Sequence, residues 1–236
     1  MKSTVSRAVV AASVAAALGL TAACGGGNGG DGDKSSEPSK SAQAPAEKKA
    51  PALSAAALEK AVLSKDDIKG YKFEKISAAE MPSEPVPADP AACQSLADMF
   101  MFATEPAAKS RVGRTLTDAD ELDAMVVSLA LMAHGQDDAE KIMEGLRTAT
   151  KKCTAYEHAD SKYRDVAALP TPEAGDESVS YKVVGLIEGQ KTPMSFTVVR
   201  SGSTLAAFYS INLLQPKKFG VPKKIVEAQV DKLKSL

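Results

Sequence analysis

Residues 178–213 read SVSYKVVGLIEGQKTPMSFTVVRSGSTLAAFYSINL, and this stretch decides the fold class. Apolar and polar residues alternate over 178–187, 193–200 and 204–213, the period-2 pattern of strands. The turn-forming runs Glu188-Gly189-Gln190-Lys191 and Ser201-Gly202-Ser203 separate them. Working outward, residues 136–152 predict a helix. Asp137, Asp138 and Glu140 lie in its first turn and Lys151 and Lys152 in its last, as the helix dipole favours. Ala139, Ile142, Met143, Leu146, Ala149, Thr150 and Cys153 form its apolar stripe. Before it, both alternating faces of 122–132 are apolar, which predicts a central strand covered on both sides. It pairs with 113–117 across the turn Asp118-Ala119-Asp120. Cys93, Leu96, Ala97, Phe100 and Met101 fall at helical spacing. Residues 53–63 read as a short helix, Ser64 as the cap of the following turn, and 71–76 and 156–166 as strands. The four prolines of 81–90 make that segment extended. Pro222 opens a last helix with Val226, Val230 and Leu233 on its inner stripe. Strands grouped in runs point to an α+β domain: a twisted, mostly antiparallel sheet with helices packed against it.

The N-terminal region has a different character. Lys2 and Arg7 precede an uncharged apolar run, 8–20, whose 13 residues fall short of the ~20 that span a bilayer. Small residues follow, as before a signal-peptide cut. Leu20-Thr21-Ala22-Ala23-Cys24 is similar to the lipobox of bacterial lipoproteins, with Thr21 where leucine is usual. The resemblance implies cleavage before Cys24 and a diacylglyceryl anchor on its thiol. The alternative is a plain secretory signal with a chance cysteine. Residues 25–52, rich in Gly, Ser, Pro, Ala and Lys, cannot bury enough apolar surface to offset ordering, and read as a tether of roughly 30 Å. The expected organisation is a signal peptide over 1–23, lipidated cysteine and tether over 24–52, and one domain over 53–236.

Loss of Lys2 and Arg7 from a chain of net charge −1 leaves −3, which argues against nucleic acid as a partner. With Cys24 lipidated, Cys93 and Cys153 remain as an even pair, and oxidising surroundings favour one disulfide between two helices. The other reading is two buried free thiols. His134 and His158 are the only histidines. His134 is expected to cap a turn or meet solvent, and His158 to sit on an exposed strand, with no metal role. No nucleophile elbow, zinc-helix motif or phosphate loop occurs, so neither enzyme activity nor a cofactor is expected. Lys217, Lys218, Lys223, Lys224, Lys232 and Lys234 read as a solvated helix face, interrupted by Glu227 and Asp231; the alternative is contact with an anionic envelope or lipid headgroups.

Ile68-Lys69-Gly70-Tyr71, Cys93-x-x-Leu on a helix, the long helix ending in Cys153, Gly175-Asp176-Glu177-Ser178 and residues 198–205 occur in order. Together they resemble the actinobacterial secreted lipoproteins with a PknH-like extracellular sensor domain, over about residues 58–236. The resemblance implies a twisted antiparallel sheet and a groove for an unknown ligand, with no binding residue transferable. Kinase-attached members carry two disulfides, whereas this domain has cysteines for one. The function expected is a monomeric, non-catalytic sensor-like or ligand-binding domain held on the extracytoplasmic face of the cell membrane. The alternatives are a carrier of an apolar envelope molecule, with the Met-rich segment 99–125 lining its pocket, and a structural or partner-docking protein.

Overall fold

The computed structural model describes residues 51–120, 124–187 and 189–236. The signal, Cys24 and nearly all of the expected tether lie outside them. Nine strands form one open sheet: β1 (Tyr71–Ile76), β2 (Ala88–Asp89), β3 (Ser110–Asp118), β4 (Met125–Ala133), β5 (Tyr156–His158), β6 (Ser161–Ala168), β7 (Glu177–Ile187), β8 (Gln190–Ser201) and β9 (Thr204–Asn212). Their order is β1-β3-β4-β9-β8-β7-β6-β5-β2, and every pair is antiparallel. Among the described residues four α-helices cover it: α1 (Ala55–Ala61), α2 (Gln94–Ala97), α3 (Gln136–Lys152) and α4 (Lys223–Lys234).

Side-chain alternation divides the sheet between two cores. β8 sends Met194, Phe196 and Val198 toward α2 and α3, and Val199 toward α1 and α4. β4 is apolar both ways, with Ala130 and Met132 on the α3 face and Val127, Leu129 and Leu131 on the α1/α4 face. This is the doubly covered strand its sequence predicts. On the α3 face, Tyr181, Phe196 and Tyr209 are cross-strand neighbours in register. Their rings stack at 4.8 and 4.9 Å between centroids, and the buried Tyr181 hydroxyl donates to the Leu96 carbonyl at 2.9 Å. Cys93 and Cys153 are joined by a disulfide with Cα atoms 5.4 Å apart, which ties the start of α2 to the end of α3. On the other face, Gln229 of α4 accepts from the Leu63 amide at 2.9 Å and donates to the Ala61 carbonyl at 2.8 Å, closing the end of α1.

Several local expectations need correction. The predicted helix beginning at Cys93 is broken: 3₁₀ turns flank the four-residue α2, and the rotation buries Met99 in place of Met101. Residues 156–166 do not form one strand. They hold the β5–β6 hairpin, turned by Ala159 and Asp160 at φ 48° and 58°, without a glycine to signal it. Ser64 accepts from the Asp67 amide at 3.1 Å through its carbonyl rather than its side chain; its amide and hydroxyl both donate to the Asp67 carboxylate, at 2.7 and 2.6 Å.

The segments that carry the family resemblance have structural causes. Gly175 holds φ +65°, and a Cβ there would come within 2.3 Å of the Arg200 carbonyl oxygen. That approach lets the Asp176 amide donate to the same oxygen at 2.8 Å. Arg200 then pairs with Glu177 at 2.6 Å and Asp176 at 3.1 Å, while Asp176 accepts from the Gly202 amide at the β8–β9 turn.

Candidate functional site

On the α4 face the C-terminal strands change character. β7 presents Ser178 and Ser180, β8 presents Ser195 and Thr197, and β9 presents Ser210, with spacing two along each strand. Cross-strand register sets Ser180 beside Thr197 and Ser195 beside Ser210. Their hydroxyls meet at 3.0 and 2.7 Å. All four are buried, Ser195 to 1% exposure and Ser210 completely. Two hydroxyls that bond each other use one O–H, which leaves a second O–H and unused lone pairs in each dyad.

Above Ser180, Ser195 and Thr197 lies a groove of about 720 Å³. One wall is the segment 169–173, whose Leu169, Pro170 and Pro172 are apolar; the other is Phe219, Gly220 and Val221, with Val226 of α4. Both walls are fixed to the sheet. The Leu169 amide donates to the Ser180 carbonyl at 2.9 Å, and the Ser178 hydroxyl to the Pro172 carbonyl at 2.6 Å. Lys182 sits over the Phe219 ring, 5.9 Å from its centroid. Glu173 and Lys223 are the charged side chains of the lining. The result is an apolar-walled slot with an uncharged hydrogen-bonding floor, within the size range of small-molecule sites.

The sequence-predicted residues stand elsewhere. Cys93 and Cys153 lie on the opposite face of the sheet from the groove. Met99 and Met125 fall in different cores, so they do not line one pocket. Both histidines are buried, contrary to expectation. His134 is fully enclosed, neither ring nitrogen has a hydrogen-bond partner among the described residues, and burial pushes its pKa down to about 4. His158 packs against Phe100 with ring centroids 5.9 Å apart, and burial lowers its pKa. Neither meets the groove. Asp98, beside α2 and nearly buried, is pushed up to about 6 by desolvation; the Gln94 amide at 2.7 Å opposes that rise and Glu105 adds to it. A second, polar cleft of about 540 Å³ runs between α3 and β7, but Arg147 and Arg200 there are held by Glu177 and Asp176. Among the described residues no group of His, Cys, Asp and Glu is arranged to hold a metal ion, and no helix is long and apolar enough to cross a membrane.

The groove floor had a sequence signal that charge-based motif reading passes over. Hydroxyl residues at 178, 180, 195, 197 and 210 fall on one face of three strands, spaced by two along β7 and along β8.

No protein-family model and no curated protein matches the sequence. Among solved structures, the chain is similar to the extracellular domain of PknH from Mycobacterium tuberculosis. The identity is 12% and the TM-score 0.55, over 80% of this chain and 100% of that one. It also matches an uncharacterized Mycobacterium smegmatis protein, an Rv0999 ortholog, at 12% identity and TM-score 0.39, over 71% and 90% of the two chains. The first likeness establishes the fold, and that fold is the PknH-like extracellular one implied by the sequence resemblance.

Proposed function

We propose that this chain is a lipid-anchored, extracytoplasmic, non-catalytic sensor-like domain that holds a small uncharged ligand in the groove between residues 169–173 and α4. One observation carries the reading: the Ser180–Thr197 hydroxyl dyad and Ser195, whose hydroxyl is paired with Ser210 beneath, form the floor of an apolar-walled groove with hydrogen-bonding capacity unused. A ligand that fits has a flat or branched apolar body against Leu169, Pro172, Phe219 and Val221, and an uncharged polar group over Thr197 and Ser195. The sensor-like, extracytoplasmic part is supported by the fold shared with the extracellular domain of PknH and by the disulfide, which suits an oxidising compartment. The non-catalytic part is supported by the partners of Ser180 and Ser195, which are other hydroxyls rather than a general base. The anchor is supported by the lipobox-like segment ending in Cys24.

Native mass spectrometry on protein purified from its own host, with organic extraction, tests the groove. A co-purifying small molecule is expected, and it should be lost in Phe219→Ala and in Thr197→Val. An empty protein, or a mass retained by both variants, overturns the reading. Turnover of an ester or peptide substrate that Ser195→Ala abolishes would refute the non-catalytic assignment. For the anchor, Cys24→Ala should move the protein out of the membrane fraction or leave an uncleaved precursor. Unchanged lipid labelling would reject it.

A further inference from the structure

The floor and one wall of the groove share a direction. The wall segment 169–173 is neither helix nor strand; Leu169 and Thr171 each precede a proline, which favours extended backbone. Its two bonds to β7 are spaced like those of a strand. The Leu169 amide donates to the Ser180 carbonyl, and the Pro172 carbonyl accepts from the Ser178 hydroxyl, two residues back along β7. The wall therefore runs along the strands, and so does the slot beside it.

Along that slot the sheet repeats its chemistry. Ser195 and Thr197 of β8 both line it, two residues and so about 6.7 Å apart. Ser180 stands beside Thr197 on β7. Each hydroxyl can donate one bond and accept others. An extended peptide has the same repeat: every second residue turns an N–H and a C=O to one edge, about 6.7 Å apart, while its side chains point to the two flanks. Laid along β8 by one edge, such a chain sets donors and acceptors over the hydroxyls. Its side chains then face Leu169 and Pro172 on one flank and Phe219 and Val221 on the other. The protein already makes this contact once, where its own wall segment presents the Pro172 carbonyl to a serine hydroxyl of the same sheet face. Glu173 and Lys223, the charged residues of the lining, are opposite in sign, which suits an uncharged occupant.

We propose that the occupant of the groove is a short, uncharged peptide in extended conformation, bound through one backbone edge to Thr197 and Ser195. This rests on the groove reading above and names its ligand class.

The test uses the chain from residue 24 onward carrying Cys24→Ala, made outside its own host so that no native ligand competes. The probe is acetyl-Ala-Val-Ala-Val-Ala-amide, and titration calorimetry reads its affinity. Two isomers of it carry two N-methyl groups each. Methyls on the second and fourth residues block one edge and leave the other free; methyls on the second and third block both. The first isomer should bind within about threefold of the parent peptide, and the second about tenfold or more weaker. Phe219→Ala and Thr197→Val should each weaken the parent peptide by about threefold or more. No binding of the parent peptide, equal affinities of the two isomers, or affinity unchanged in both protein variants overturns the proposal. So does binding of octanol or chitotetraose in the peptide's place. A native small molecule lost in Phe219→Ala, with the peptide unbound, removes the peptide and keeps the groove reading; a groove empty in both experiments removes both.

Discussion

On the α3 face, β7, β8 and β9 present Tyr181, Phe196 and Tyr209 as a stacked ladder, closed by α2, α3 and the Cys93–Cys153 bridge. On the α4 face the same strands present Ser180, Thr197 and Ser195 under a groove, with Ser210 bonded to Ser195. Backbone, register and twist are shared, so side-chain chemistry alone separates the two. Aromatic rings bury a large area and need no partner beyond one hydroxyl bond. Buried hydroxyls lose hydration and recover it only in pairs. The same strands therefore serve as sealed scaffold on one side and as a surface with hydrogen bonds to offer on the other.

The largest expected effect tests the sealed side. Cys93→Ala removes a bridge across a sequence separation of 60 residues and should lower unfolding free energy by roughly 2–5 kcal/mol, read by denaturant titration. Two reactive thiols in the oxidised parent protein would end this claim.

The next effect is pH dependence, to which the uncharged groove floor adds nothing. Asp98 has a raised folded pKa of about 6, so the folded state holds its proton longer than the unfolded chain. Its influence makes stability fall as pH rises from about 4 to 6. His134 has a folded pKa of about 4, so acidification from about 6.5 protonates the unfolded chain first. Its influence makes stability fall as pH drops over nearly the same window. The two slopes oppose each other. Asp98→Asn should stabilise relative to parent by about 2 kcal/mol above pH 6 and by little below pH 4, and steepen the loss on acidification. His134→Gln should shift the slope the opposite way. Thermal midpoints across pH 4–7 that move in parallel in both variants would contradict the assignment.

The smallest effect compares neighbours on β8. Val198→Thr places a hydroxyl in the apolar core and should cost about 1–3 kcal/mol. Thr197→Val removes one member of a dyad beneath the groove and should cost about 1 kcal/mol or less, while still weakening ligand retention. Equal costs at the two positions would erase the distinction between the faces.

Much of the molecule is legible locally. Period-2 alternation marks β7, β8 and β9, dipole-matched charges mark α3, and two-sided apolar content marks β4 as central. Less is legible where the chain departs from ordinary signals. The Ala159-Asp160 turn carries no glycine, and α2 is interrupted by 3₁₀ turns although its apolar spacing is helical throughout. His134 looks exposed because it stands at a strand-to-helix turn and His158 because Glu157 and Asp160 flank it, yet both are buried, His134 where its amide donates to the Ser203 carbonyl and His158 against Phe100.

By itself the sequence determined the α+β class, the antiparallel meander, the cysteine pair and the row of strand hydroxyls, because each is a matter of local period or composition. Only the tertiary structure decided that this row lies beneath a groove. That required residues 169–173 and 219–226, some fifty positions apart, to close over one face of β7 and β8. It also required Gln229 to reach back to Ala61 and Leu63 and hold α4 in place. Contacts at such separation depend on packing the whole chain at once, and no local pattern encodes them.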